Sequence, residues 1–263
     1  QVKTGWLGRG MKIAKLDGDG LALALPMPLL LRGVPKNDNY FPAQGKLPDK
    51  EILEILSQVY SNKSEAELKS LVDIVKSRPK VDTSYGGGYG SRDNTSLARK
   101  AAGMMIKPNG PRVAVFEVHD FDTHSAQGGV DGTHSDCLNE IDDIVRALKR
   151  YLAKDFDNTL IVTLTEFGRM IKQNSGLGTE HGYGSAVLMA GGLLKKAQVY
   201  SDWPGLKKKE LFEKRDLNST IDARSIYASA MSTVFDVDFK LVKDKVFWGE
   251  NLQNLSDKLF KTS

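Results

Sequence analysis

Cysteine occurs once in the 263 residues, at Cys137, so no disulfide can form within the chain. That scarcity leaves the compartment open, since many exported proteins have none. No run of 18 apolar residues is present, so no segment reads as a membrane-spanning helix. The most apolar stretch, Leu21 to Gly33, is broken by Pro26 and Pro28 and reads as a buried extended segment. An excess of one charge is also lacking. Basic residues number 37 against 33 acidic, and the lysines are scattered, so nucleic acid is not an expected partner. The densest basic run, Leu206 to Arg215, reads as solvated surface. No GxSxG motif is present, which removes the nucleophile elbow, and no CxxC or HExxH pattern marks a zinc site. Histidine is scarce too. Three of its four copies fall in residues 117–134, EVHDFDTHSAQGGVDGTH, directly after an apolar run.

What is present is ordinary globular material, 40% hydrophobic and 27% charged, in a chain long enough for a sizeable core. The first 48 residues read as irregular and rich in Gly and Pro, with GWLGRGMK near the start. A helix is expected from about Ser64, where Ser64 and Glu67 form a capping box ahead of Leu68, Leu71, Val72 and Val75. SYGGGYGSRDN, residues 84–94, reads as a flexible link, and a second helix is expected over Thr95 to Ile106. Three strand-like runs follow: Arg112 to Val118, Thr159 to Thr165 and Ser185 to Gly192. Between the first two lies an amphipathic pattern from His134 to Lys154, with Leu138, Ile141, Ile144, Val145, Leu148 and Leu152 on one side. Strand, helix and strand at these lengths predict a parallel pair with a right-handed crossover. Cys137 reads as a small apolar residue of that helix's buried face. A last helix is expected over Thr220 to Asp236, capped near Ser219 or Thr220.

In open α/β sheets, ligands bind beyond the carboxyl ends of the strands. Asp120, Asp122 and His124 follow the first run and Glu166 follows the second. If the aperiodic link from Glu166 to Ser185 turns straight back, His181 joins them. Asp122, His124, Glu166 and His181 would then hold a divalent metal. Imidazole with carboxylate favours zinc, and carboxylates with few imidazoles also suit manganese or magnesium. Asp122 and His124 are two apart, so in extended backbone they face one way. Arg169 could grip an anionic substrate with its fork or simply pair with a carboxylate, and Lys172 and Asn174 are weaker candidates of that kind. The competing reading makes Asp122 and His124 turn and cap residues. His119 and His134 carry less weight still, and Asp142 and Asp143 read as solvated.

FDTHSAQGG, TEFGRMIKQNSGLGTEHGYG, AGG, SDWPGL and RDLNSTIDAR stand in an order and spacing that resemble the DUF1501 proteins. GWLGR, LPMPLLLRG and AAGMMIKPNGPRVAVFEV extend the likeness over nearly the whole chain. These bacterial proteins of unknown function are related to the alkaline phosphatase and sulfatase superfamily. The resemblance implies a three-layer α/β/α sandwich, alkaline-phosphatase-like, with a mostly parallel sheet. It implies a single domain over 1–263, with 1–110 irregular and helical and 111–263 the sheet core. It also implies export to the periplasm or beyond, and metal-dependent hydrolysis of a small anionic phosphate or sulfate ester. Asp122 and His124 match an Asp/His metal pair, Glu166 the acidic position and His181 a last histidine ligand, with Glu166 and Arg169 as catalytic groups. Phe167 departs from the pattern by standing where the hydrolases carry a second histidine. Asp120 replaces a glycine and offers a substitute ligand. The family's long portion ahead of GWLGR implies a chain incomplete at its N-terminus. A partner chain or N-terminal segment would then complete an unpaired sheet edge. The alternative expectation is a non-catalytic binding or assembly protein that keeps the fold with a degenerate site.

Overall fold

The computed structural model describes residues 4–16, 19–23, 27–34, 36–40, 50–60, 66–77 and 93–261. The chain divides into two compact units, residues 1–40 with 94–263, and residues 41–93. In the larger unit the elements run α1 (Trp6–Ile13), β1 (Gly20–Ala22), a 3-10 turn at Leu29–Leu31 and β2 (Asp38–Asn39). The smaller unit holds α2 (Lys50–Val59) and α3 (Ala66–Ser77). The larger unit resumes with α4 (Asn94–Met105), β3 (Val113–Val115), α5 (Thr133–Leu152), β4 (Ile161–Val162), β5 (Gly168–Arg169), β6 (His181–Gly182) and β7 (Met189–Ala190). It closes with α6 (Ala223–Phe235), α7 (Phe239–Val246) and α8 (Ser256–Leu259). The capping box at Ser64 and residues 84–92 of the glycine-rich link lie outside the described residues. No helix among the described residues is long and apolar enough to cross a membrane.

The architecture is mixed α/β, with a parallel three-stranded sheet in the order β2-β1-β3 and two short antiparallel pairs, β4-β7 and β5-β6. Two strands of the parallel sheet come from the first forty residues, together with α1. Gly and Pro dilute the apolar pattern there, which is why that stretch read as irregular. The crossover expectation needs correction. β3 takes its ladder from β1, and β4 pairs antiparallel with β7 rather than parallel with β3. Both strand regions nevertheless lean on one cluster, since Phe116, Val118 and Ile161 pack against Ile144 and Leu148 of α5 and Ala98 and Ala102 of α4. β1, paired on both edges, is fully buried, whereas β3 and β4 are only half-buried.

Strand alternation distributes the core. Ala114 and Phe116 pack with Leu97 and Ala101, while Val113 and Val115 pack with Met11 and Leu31. Ile161 faces the α4–α5 cluster, and its neighbour Val162 faces Ala230, Leu255 and Leu259. On α5 the buried stripe is Cys137, Ile144, Ala147, Leu148 and Leu152. Leu138 is 43% exposed, so the stripe is turned by one position from the expected one. Asp142 stays on the outer face and pairs with Arg146 one turn on, at 2.7 Å.

The expected cap of α6 is also displaced. Asp222, not Ser219 or Thr220, is the cap, and its carboxylate accepts from the Arg224 amide at 2.9 Å. Hydrogen bonds from the Arg224 side chain hold Asp222 below the usual carboxylate range against an opposing desolvation. Asp222→Ala is expected to cost about 1 kcal/mol, the usual worth of such a cap. The exposed ion pair adds little to that. Thermal melts should fall by roughly 3 °C at neutral pH. Because the folded value is depressed, the stabilisation is present above the ordinary aspartate pKa of ~3.9 and lost as pH falls through the folded value. The two proteins should therefore converge in strong acid. An unchanged melt at pH 7 would remove the cap assignment.

Candidate metal centre

Two segments run side by side to build the site. Ala126 and Gln127 donate their amides to the carbonyls of Gly176 and Leu177 at 2.9 Å, and the Thr179 amide donates to the Thr123 carbonyl at 3.1 Å. Ser125 and Leu177 form an antiparallel bridge between them. The segments touch backbone to backbone, since a Cβ on Gly178 would stand 2.3 Å from the His124 carbonyl carbon. Asn174 locks the second segment. Its Oδ1 accepts from the Gly176 and Gly178 amides, both at 3.0 Å, and its Nδ2 donates to the His124 carbonyl at 2.9 Å. β5 and β6 then pair antiparallel, with Arg169 opposite His181.

Asp122, His124 and His181 thereby converge. One ligand atom from each lies within 4.8 Å of the other two, and all three residues are exposed. His124 Nε2 lies 3.1 Å from His181 Nε2 and 3.0 Å from Asp122 Oδ1, and His181 Nε2 lies 3.0 Å from the same oxygen. In a tetrahedral zinc site with bonds of ~2.0–2.1 Å, neighbouring donors sit roughly 3.3–3.4 Å apart. The triangle therefore matches one slightly contracted face of such a site.

Proton accounting adds a constraint. His124 Nδ1 faces the Glu180 carboxylate at 2.9 Å, and an ionised carboxylate can only accept, so Nδ1 carries the hydrogen. In the neutral ring, Nε2 is then a lone pair pointed at another acceptor, Asp122 Oδ1. Two lone pairs at 3.0 Å repel unless a cation lies between them, either a proton or a metal. Glu180 fixes the ring from behind, as outer-shell carboxylates do at metal centres. Phe167, the departure from the hydrolase pattern, stacks on His181 with ring centres 3.8 Å apart. The donor set fits a divalent ion.

Around this group lies a second tier. Arg169 donates Nε to Thr179 Oγ1 at 3.0 Å, one terminal nitrogen to Asp122 Oδ1 and the other to the Thr179 carbonyl. Of the two roles open to it, pairing with a carboxylate is thus realised. Buried Thr179 and Thr123 both donate to Gln127 Oε1 at 2.8 Å. Partial desolvation pushes the Asp122 carboxyl up, but hydrogen bonds from His181 and Arg169 and the nearby imidazole charge outweigh it, so it stays below its ordinary value. Asn174, then His124, hold Glu180 down in the same way.

Glu166 sits in the exposed bend ahead of β5, and Asp120 is exposed with φ at +70°. Neither belongs to the convergent group. His119 and His134 are also outside it, and His134 packs edge-on against Phe121 in the first turn of α5. The sequence pattern did not count Glu180 among the site residues, and missed Thr179 and Gln127. Asn174 was weighed only as an anion contact. The run Asn174-Ser175-Gly176 does carry a turn signal that could have revealed it.

No match to the chain was found among curated proteins or solved structures. The family model described as a protein of unknown function (DUF1501) matches residues 31–246. That span contains every residue of the centre just described, and the chain belongs to the DUF1501 family.

Proposed function

We propose that the chain is a metal-dependent hydrolase of phosphate or sulfate esters, working outside the cytoplasm on an α/β/α fold of the alkaline phosphatase and sulfatase type. The observation that carries this reading is the convergence of Asp122, His124 and His181, with the far nitrogen of His124 keyed by Glu180. The opposite packing of Ile161 and Val162 supports the layered architecture. Asp122, His124 and His181 would hold the ion, with zinc first and manganese or magnesium as alternatives. A divalent ion there supplies Lewis-acid polarisation of an ester oxygen and acidifies water. Arg169 orients Asp122 and keeps two of its five N–H groups for the ester anion. Glu166, exposed and without an ion pair among the described residues, is assigned to proton transfer.

One observation favours the second reading, a non-catalytic binding or assembly protein. Arg169, Thr179, Gln127, Asn174 and Glu180 are already bonded to one another or to the two site loops, as in a network that ties loops together. Zinc-loaded protein should be assayed against a panel of phosphate and sulfate monoesters. Turnover that falls by ~10²–10⁴ in Glu166→Gln, with metal retained, is the expected result for a general base. Bound zinc with no turnover on any ester would end the hydrolase reading and leave the network.

A further inference from the structure

The GWLGRG segment plays no part in the metal centre, yet it builds a second polar feature. Arg9 of α1 reaches across to the end of α7. Its Nε and one terminal nitrogen donate to the Val246 carbonyl at 3.0 and 2.8 Å, and the other terminal nitrogen donates to the Thr4 carbonyl and hydroxyl at 2.6 and 3.2 Å. Its guanidinium also lies 4.2 Å over the ring of Trp248, which is 63% exposed and held at φ +55°. Every acceptor that Arg9 meets is neutral, so its charge has no counter-ion among the described residues. Beside it opens a cavity of about 300 Å³ lined by Thr4, Arg9, Lys12, Ile13 and Lys245, together with the bare backbone of two glycines. No carboxylate among the described residues lines it. Asp244, the acid of α7, pairs with Lys240 at 2.7 Å and also feels the charges of Lys243 and Lys245. Lys12 and Lys245 make no hydrogen bond or ion pair among the described residues.

Capping of α7 accounts for Arg9 alone. Lys12 and Lys245 each stand in the last turn of a helix, where the helix end favours a cation, but that does not account for three cations lining one cavity, whose mutual repulsion an anion would relieve. We propose that this cleft binds a small phosphate-class oxyanion, free or as an ester head group. Lys12 and Lys245 supply charge. The one undonated N–H of Arg9 and the Thr4 hydroxyl, which accepts from Arg9 and so has its hydrogen to spare, supply direction. The cleft shares no residue with the metal centre, so either assignment can fail alone.

Trp248 serves as the optical reporter, with Trp248→Phe identifying its share of the fluorescence. The full chain is titrated with inorganic phosphate under EDTA, at ionic strength held constant with chloride. Vesicles of phosphatidylcholine, with or without phosphatidic acid, form a parallel arm. The expected result is a saturable change that persists in His181→Ala and is weakened about tenfold or more in Lys12→Ala/Lys245→Ala. Those exposed substitutions should leave the circular dichroism and melt unchanged. Saturation by phosphatidic acid vesicles alone would assign the head group as the source. If neither phosphate nor those vesicles act beyond chloride, or if the double lysine variant binds like the parent, the proposal is overturned.

Discussion

Zinc-equilibrated protein passed through a desalting column is expected to retain one equivalent of metal, and His181→Ala to retain none. The reasoning is geometric. Three donor atoms at mutual separations of 3.0–3.1 Å already describe one face of a coordination tetrahedron. Removing His181 leaves two donors on one short stretch of loop, which is too few for a stable protein site. His124→Ala should do the same. Glu180→Gln should act differently, because it leaves all three donors in place. It weakens the acceptor that orients His124 Nδ1–H, and a loss of ~10–100-fold in affinity is the usual size of such an outer-shell change. Glu166→Gln is expected to keep full stoichiometry, since Glu166 stands outside the convergent group. A loss there would restore Glu166 as a ligand. A parent protein that emerges metal-free after equilibration with zinc, manganese and magnesium in turn would show that the cation between the lone pairs is a proton.

Gly178→Ala should damage the same centre without touching any donor. The new methyl would meet the His124 carbonyl carbon at 2.3 Å and the Ser125 amide nitrogen at 2.5 Å, and both are backbone atoms with no rotamer to escape through. The two segments must part. The Thr179–Thr123 amide bond and the Asn174–His124 contact are then strained together. Overpacking of this kind costs ~1–3 kcal/mol, and the melt should fall by roughly 3–10 °C. Metal retention should fall further than the melt alone predicts, because the ligands are displaced even in folded molecules. Gly129→Ala is the control. It lies in the same loop region with nothing within 4 Å of the added atom, so neither property should move. Equal behaviour of the two alanine variants would mean that the close crossing of the loops is not needed.

The legible parts of this chain were those set by local rules. α4 and α5 stand within two residues of their expected bounds, because an amphipathic period is written over three or more turns. α6 is shorter than expected by three residues at its start, where several cap-forming residues compete and one carboxylate wins through its reach to the Arg224 amide. The apolar runs around Val113, Ile161 and Met189 were found as strands, but their partners were not. β-propensity records a side chain's fit to a pleated surface and says nothing of which edge lies beside it. In the site, Asp122 and His124 were visible through their spacing of two after a strand. Glu180 lacked such a signal, since its role depends on a histidine 56 positions away.

By itself the sequence settled the presence of α3 to α6, the strand candidates around Val113, Ile161 and Met189, the absence of an apolar span and the residue types from which a metal centre could be drawn. The tertiary structure alone decided that β1 stands between β2 and β3, that β4 answers to β7, and that Arg169 orients Asp122 across 47 positions. The physical reason is the range of the forces involved. Helical hydrogen bonds and turn chemistry act within a few residues. Ladder pairing and the meeting of lone pairs depend on which distant backbones can approach, and here glycines such as Gly178 permit an approach that no local pattern announces.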